Sequence, residues 1–252
     1  MLDIKPVNVP KAADVLANLL REKILRGELH EGVDLPPERE LGTQAGLSRA
    51  SVREALRILE GEGLVVTRIG RNGGSTVARP NGELIERSVR IFIRGLGIRL
   101  EAVLEARSAI EPSTARFAAM HRTEEDLAEI EKCQLRVEHA SQMGDLDAYV
   151  QANLDWHVQV VRASHNELLI AFIAAASQSV YAATDLVGFN SSEVRMAVIR
   201  AHRRVAEAIR AGDGDAAERR MARHVGAYVD DVRSTSAKFV GNKPKELQWQ
   251  AS

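Results

Sequence analysis

Apolar positions follow a helical rhythm over most of this chain, and that rhythm breaks once, between residues 64 and 79. From Lys11 to Arg26, Val15, Leu16, Leu19, Leu20 and Ile24 form one stripe and predict a first helix. Pro36 and Pro37 stop the chain that follows, and Pro37 suits the first position of a short helix carrying Glu38 to Ala45. Gly46 fits a tight turn because it tolerates positive φ. Ser48 is placed to cap the next helix, whose Val52, Leu56 and Leu59 fall at i, i+4 and i+7 as a buried stripe. The break itself is LVVT, then the glycine-loaded basic turn RIGRNGGS, then TVA, which predicts two short strands joined by a loop.

Beyond RPNGE at 79–83, where Pro80 and Gly82 mark a hinge, strand-like alternation disappears. Seven helices are expected, over 83–95, 100–120, 123–143, 145–164, 166–187, 191–211 and 213–236. Thr123 with Asp126, Asn166 with Glu167, and Ser191 with Glu193 read as helix starts, while Gly144 and Gly212 read as helix ends. The fold class expected is mainly α: an N-terminal winged helix-turn-helix over 1–79, then an all-α bundle over 84–236. Residues 1–9 read as a loose arm and 237–252 as a frayed tail in which Trp249 can dock.

Composition narrows the class. The 252 residues suffice for two domains with separate cores, and no apolar run approaches a membrane span. Cys133 is the single cysteine, so a disulfide framework and a Cys-rich zinc site are excluded, and a reduced, cytoplasmic setting is expected. The net charge of −1 does not announce a nucleic-acid binder, but its distribution does more. Between Leu47 and Arg79 lie six arginines against three glutamates, a locally basic surface on a near-neutral chain. Arg49, Ser51 and Arg53 occupy the first turn and a half of the capped helix, with Arg49 and Arg53 one turn apart on a shared face. Such an end enters the major groove, where arginine forks onto guanine. Arg68 or Arg71 at the wing would meet phosphates or the minor groove.

Histidine use in the bundle suggests a second chemistry. His157, His202 and His224 lie on three different helices, and Asn153 precedes His157 by one turn on the same face. Imidazoles from three helices can converge on a cation inside a bundle, although single helical histidines are more often packed or solvated. Asp155 stands about 160° around the helix from His157, so Asn153 is the better oxygen donor. Arg107 precedes Glu111 by four residues, a spacing that reads as an ion pair on the helix surface. His30, His121, His139 and His165 read as structural, and Cys133 as packing.

Residues 11–79 resemble the DNA-binding domain of the GntR family of bacterial transcription regulators, through LPPERELG, LSRASVREALRILEGEGLV and RIGRNGGSTV. The resemblance implies DNA contacts from Arg39, Ser48, Arg49, Ser51 and Arg53, with Arg71 and Gly73 in the wing. Residues 84–236 resemble the FadR-type effector domain, FCD, through VLEARSAIEP, TEEDLAEIE, DWHVQVVRASHNELL and AHRRVAEAIRAGDGDAAERRMARHV. In metal-containing members an acidic or amide residue four before the first histidine joins that histidine and two later ones. Those positions fall here on Asn153, His157, His202 and His224. The implied cofactor is a divalent metal, zinc first, with nickel and manganese as alternatives, and Asn in place of the commoner Asp weakens the site. The same resemblance implies Arg107 facing an effector cavity and a small organic acid as effector. It also implies a homodimer on a pseudo-palindromic double-stranded operator, with no membrane and with repression as the expected direction. A metal-assisted hydrolase and a metal-free binder of long acyl chains are the competing functions; the winged domain argues against the first and the His trio against the second.

Overall fold

The structure, a computed structural model, describes residues 10–68, 70, 73–183 and 191–239, with side chains up to 177 and again from 191 to 230. It divides into two compact units, Met1–Leu84 and Ile85–Ser252.

The first unit contains α1 (Ala12–Leu25), α2 (Glu38–Ala45), α3 (Arg49–Gly61), β1 (Val65–Arg68) and β2 (Gly74–Val77). Its core joins Leu16 and Leu20 of α1, Leu41 of α2, Val52, Leu56 and Leu59 of α3, and Val65 and Val77 of the strands. The α3 stripe is therefore the one its spacing predicts. The α1 stripe differs: Ala13, Leu16, Ala17 and Leu20 are buried, whereas Val15 and Leu19 are 55% and 56% exposed. Both sides of α1 carry apolar residues, and the side with two alanines wins because small residues let α1 lie close against α3. Pro37 sits at the cap of α2 rather than inside it, with extended ψ, and Gly46 ends α2 at φ 67°. The strands pair antiparallel with Val65 opposite Val77 and Arg68 opposite Gly74, and Asp34 bridges to Thr76 beside them. Gly73 is required here: a Cβ on it would stand 2.1 Å from the Arg68 carbonyl oxygen. Arg71 lies outside the described residues.

The second unit is helical throughout. It comprises most of α4 (Gly82–Gly95), then α5 (Leu100–His121), α6 (Glu124–Met143), α7 (Leu146–Arg162), α8 (Glu167–Ala183), α9 (Ser192–Ala211) and α10 (Gly214–Phe239). Thr123 and Asp126 form a reciprocal capping box, each satisfying an amide of the other. Asp145 and Asn166 cap α7 and α8 through the amides of Ala148 and Leu169. Ser191 makes no side-chain cap, contrary to its expected role. The stretch expected to extend α8 to residue 187, and the tail with Trp249, lie outside the described residues. α5 packs on α10 and α6 on α7, around a core that includes Leu104, Tyr149, Trp156, Ile209 and Met221. By contrast α4 buries no residue fully. Among the described residues no helix is long and apolar enough to cross a membrane.

Candidate nucleic-acid interface and metal centre

In the first unit the N-terminal end of α3 is open to solvent, and its geometry is set by the cap. The Ser48 hydroxyl accepts from the Ser51 amide at 3.1 Å, and the two hydroxyls lie 3.0 Å apart. Arg39, Arg49 and Arg53 are all exposed. Sequence spacing did not reveal the partner of Arg53. Its Nε and Nη2 donate to the two carboxylate oxygens of Glu38, at 3.2 and 2.9 Å, across the turn between α2 and α3. The bond from Arg53, together with its charge, holds Glu38 below the usual carboxylate range. A bidentate fork of this kind fixes the plane of the guanidinium before any ligand arrives.

In the second unit His157 (α7), His202 (α9) and His224 (α10) meet. The Nε2 atoms of His202 and His224 are 3.1 Å apart, and those of His224 and His157 are 3.2 Å apart. All three side chains are buried or half-buried, and their ligand atoms lie within 4.8 Å of one another. Burial pushes the three imidazoles below their ordinary range, His224 to about 3. They are neutral at neutral pH, which is the form that ligates metals.

The tautomer of His157 is fixed by a neighbour that sequence reasoning did not assign to the site. Its Nδ1 lies 2.6 Å from Oε2 of Glu111, so Nδ1 carries the proton and Nε2 presents a lone pair to the other two rings. Glu111 in turn ion-pairs with Arg107 one turn earlier on α5. The i, i+4 pair considered for Arg107 does form, but inside the bundle and not on its surface: Arg107 is 3% exposed and Glu111 0%. Burial alone would raise the Glu111 carboxyl; the Arg107 charge and His157 overcome it and hold it well below the carboxylate range. Trp156, next to His157 in sequence, stacks on His202 with ring centroids 3.7 Å apart and planes 3° from parallel.

The donor set suits a cation. A single proton on His224 Nε2 cannot serve both of its neighbours, so the protein by itself leaves nitrogen lone pairs facing one another. Nitrogens bound ~2.0–2.1 Å from one ion, at angles between octahedral and tetrahedral, stand roughly 2.9–3.4 Å apart, a range that contains both measured spacings. Asn153 lies on the same face one turn before His157, and its Oδ1 is buried without a hydrogen-bond partner among the described residues. Asp155 is engaged elsewhere, accepting from Arg136 at 3.1 Å and Gln151 at 2.8 Å. Of the other histidines, His165 meets Asp126 at 2.7 Å and His121 the Ser164 carbonyl at 3.1 Å.

Comparison with known proteins agrees with both units. The family model described as bacterial regulatory proteins, gntR family, matches residues 12–75, and that of the FCD domain matches residues 102–227. The putative L-lactate dehydrogenase operon regulatory protein of Escherichia coli K12 is 32% identical over 237 residues, covering 91% of this chain and 88% of that protein. The Glc operon transcriptional activator of the same strain is 30% identical over 204 residues, covering 78% and 79%. Among solved structures, a Streptococcus agalactiae GntR protein superposes with a TM-score of 0.65 at 22% identity, over 86% of this chain and 99% of that one, a likeness of fold. Two family matches in sequence order, on the two units the structure separates, place the chain among the GntR-family DNA-binding transcriptional regulators that carry an FCD domain.

Proposed function

We propose that the chain acts as a cytoplasmic homodimer that binds a pseudo-palindromic operator and releases it in response to a small organic acid, with repression as the direction. Two-fold protein symmetry demands a two-fold site, with half-sites about one helical turn or a multiple apart. Arg49 and Arg53 read base edges, Arg39, Ser48 and Ser51 fix the helix on the backbone, and Gly73 and Arg71 form the wing contact. Glu38 acts on this surface as well, by presenting Arg53 in one plane.

The observation that carries the sensor half of this reading is the convergence of three neutral Nε2 atoms, with a buried amide oxygen one turn before His157 that has no partner among the described residues. His157, His202, His224 and Asn153 would hold a divalent ion, zinc first, with nickel or manganese as alternatives. When bound, such an ion supplies open positions for oxygens of a carboxylate ligand. Glu111 keeps the His157 ring turned the right way, and Arg107, whose Nε edge goes to Glu111, offers its Nη edge to the effector carboxylate. One relative is named for an L-lactate dehydrogenase operon, and a small 2-hydroxy acid, with two adjacent oxygens, fits this chemistry.

Effector and operator then weaken each other by the same factor. Native mass spectrometry of the chain purified without chelator tests the site. One divalent ion per chain, lost in His202→Ala while the helical circular dichroism persists, supports the reading. A metal-free chain that takes up no Zn²⁺ contradicts it.

A further inference from the structure

The His cluster occupies only one face of α7. On the opposite face a separate cavity of about 560 Å³ opens between α4, α6, α7 and α8, and no residue of the His cluster lines it. Gln151, Leu154, Asp155, Val158, Gln159 and Arg162 of α7 face it, following the same i, i+3, i+4 spacing that sends Asn153 and His157 the other way. Its size falls within the ~300–1,000 Å³ span of small-molecule sites.

The walls hold polar groups in two conditions. Arg136 is committed, donating to Asp155 at 3.1 Å and to the Cys133 sulfur at 3.1 Å, and Gln151 donates to Asp155 at 2.8 Å. Two other groups are left over. Ser177 of α8 is only 3% exposed, yet its hydroxyl has no hydrogen-bond partner among the described residues. Buried hydroxyls normally have one. The Arg162 guanidinium has no partner among the described residues. On the acidic side, the ion-pair partners of Glu86 and Glu129 among the described residues are neighbours on their own helices, Arg90 at 3.4 Å and Lys132 at 3.2 Å. Pairs of that kind are weakly bound and exchange readily for a better one.

Charge then selects the ligand. Three carboxylates and two guanidinium groups line the cavity, so a purely anionic ligand meets an acidic surplus and a purely cationic one leaves Arg162 unpaired. We propose that this cavity is a second small-molecule site, built for a zwitterion between an amino acid and a dipeptide in size. Its carboxylate pairs with Arg162, its ammonium with Glu129 or Glu86, and Ser177 hydrogen-bonds its interior. Because Glu86 belongs to α4, the helix without a fully buried residue, occupancy ties α4 to the bundle. Binding in this cavity requires no metal at the His cluster.

Cys133 is the single cysteine of the chain and lines the cavity, which makes it a built-in reporter. The full-length protein is treated with iodoacetamide in the presence of each of the L-amino acids other than cysteine and a set of cysteine-free dipeptides. Every hit is repeated as its N-acetyl form, which lacks the ammonium, and as its amide, which lacks the carboxylate. The expected result is at least a tenfold slowing of Cys133 alkylation by one or more zwitterions and by neither blocked form. Protection is lost in Arg162→Gln, is weakened in Ser177→Ala, and persists in His202→Ala. The proposal is overturned when no member of the panel protects, when blocked forms protect equally, or when protection survives in Arg162→Gln. Protection abolished by His202→Ala also overturns it, since binding would then belong to the His cluster.

Discussion

Replacing Glu111 by glutamine removes the one negative charge between Arg107 and His157 while keeping the side chain's size. Arg107 and Glu111 are 3% and 0% exposed, so the guanidinium left behind cannot be rescued by water. An uncompensated buried charge of this kind costs about 3–5 kcal/mol. The substitution also takes the carboxylate from His157 Nδ1, now 2.6 Å away, and loss of such an outer partner lowers metal affinity roughly 10–100-fold. That loss equals about 1.4–2.7 kcal/mol of binding. The two effects separate in the double variant Arg107→Met/Glu111→Gln, which removes both charges. Urea unfolding of chelator-treated protein gives stability, and competition with a fluorescent zinc chelator gives affinity. Glu111→Gln should lose in both assays, whereas the double variant should regain most of its stability and none of its zinc affinity. Recovery of zinc affinity in the double variant would refute the orienting role of Glu111. A single variant as stable as wild type would refute the buried pair.

Other substitutions probe each half of the account. Arg49→Ala should weaken operator binding by about 1–3 kcal/mol in fluorescence anisotropy at fixed salt and relax preference at one base position; unchanged affinity would remove Arg49 from the reading surface. Asn153→Asp restores a carboxylate beside three imidazoles and should tighten zinc in the same competition assay; an unchanged or weaker constant would place Asn153 outside the ligand set. For metal-free protein, His224 titrates near 6.5 when unfolded but is held to about 3 by burial when folded. Between those values the unfolded chain binds the extra proton, so stability is complete above about 6.5 and declines as pH falls toward 3. Urea midpoints at pH 7 and 5 should therefore drop more for wild type than for His224→Gln, and equal drops would contradict the buried neutral ring.

What could be read from the chain follows the range of each signal. Local signals worked: Gly46 turns left-handed, Ser48 caps α3, and Thr123 with Asp126 closes a capping box, each decided within a few residues. The α3 stripe was legible because its other face is strongly polar; the α1 stripe was misjudged because apolar residues flank it on both sides. Contacts between distant residues were not legible. Glu38 and Arg53 are 15 positions apart, and Glu111 and His157 are 46 apart. Yet a clue to the second existed. Arg107 and Glu111 fall in line with Leu104, Ala115 and Ala118 on the buried side of α5, and charges within an apolar stripe mark a built polar centre more often than a solvated pair. Asp155, set aside on angular grounds alone, accepts from Arg136 and Gln151 and so faces away from the His cluster.

If the function proposed above is right, the capped, arginine-bearing end of α3 reads duplex sequence as one half of a symmetric pair. Selection of binding duplexes from a random pool by the full-length protein, run in parallel for an Arg49→Ala/Arg53→Ala variant, puts this to the test. Wild type should enrich an inverted repeat with half-sites about one helical turn or a multiple apart, and the variant should lose that repeat. Enrichment of nothing, or of the same sequence by both proteins, would contradict it.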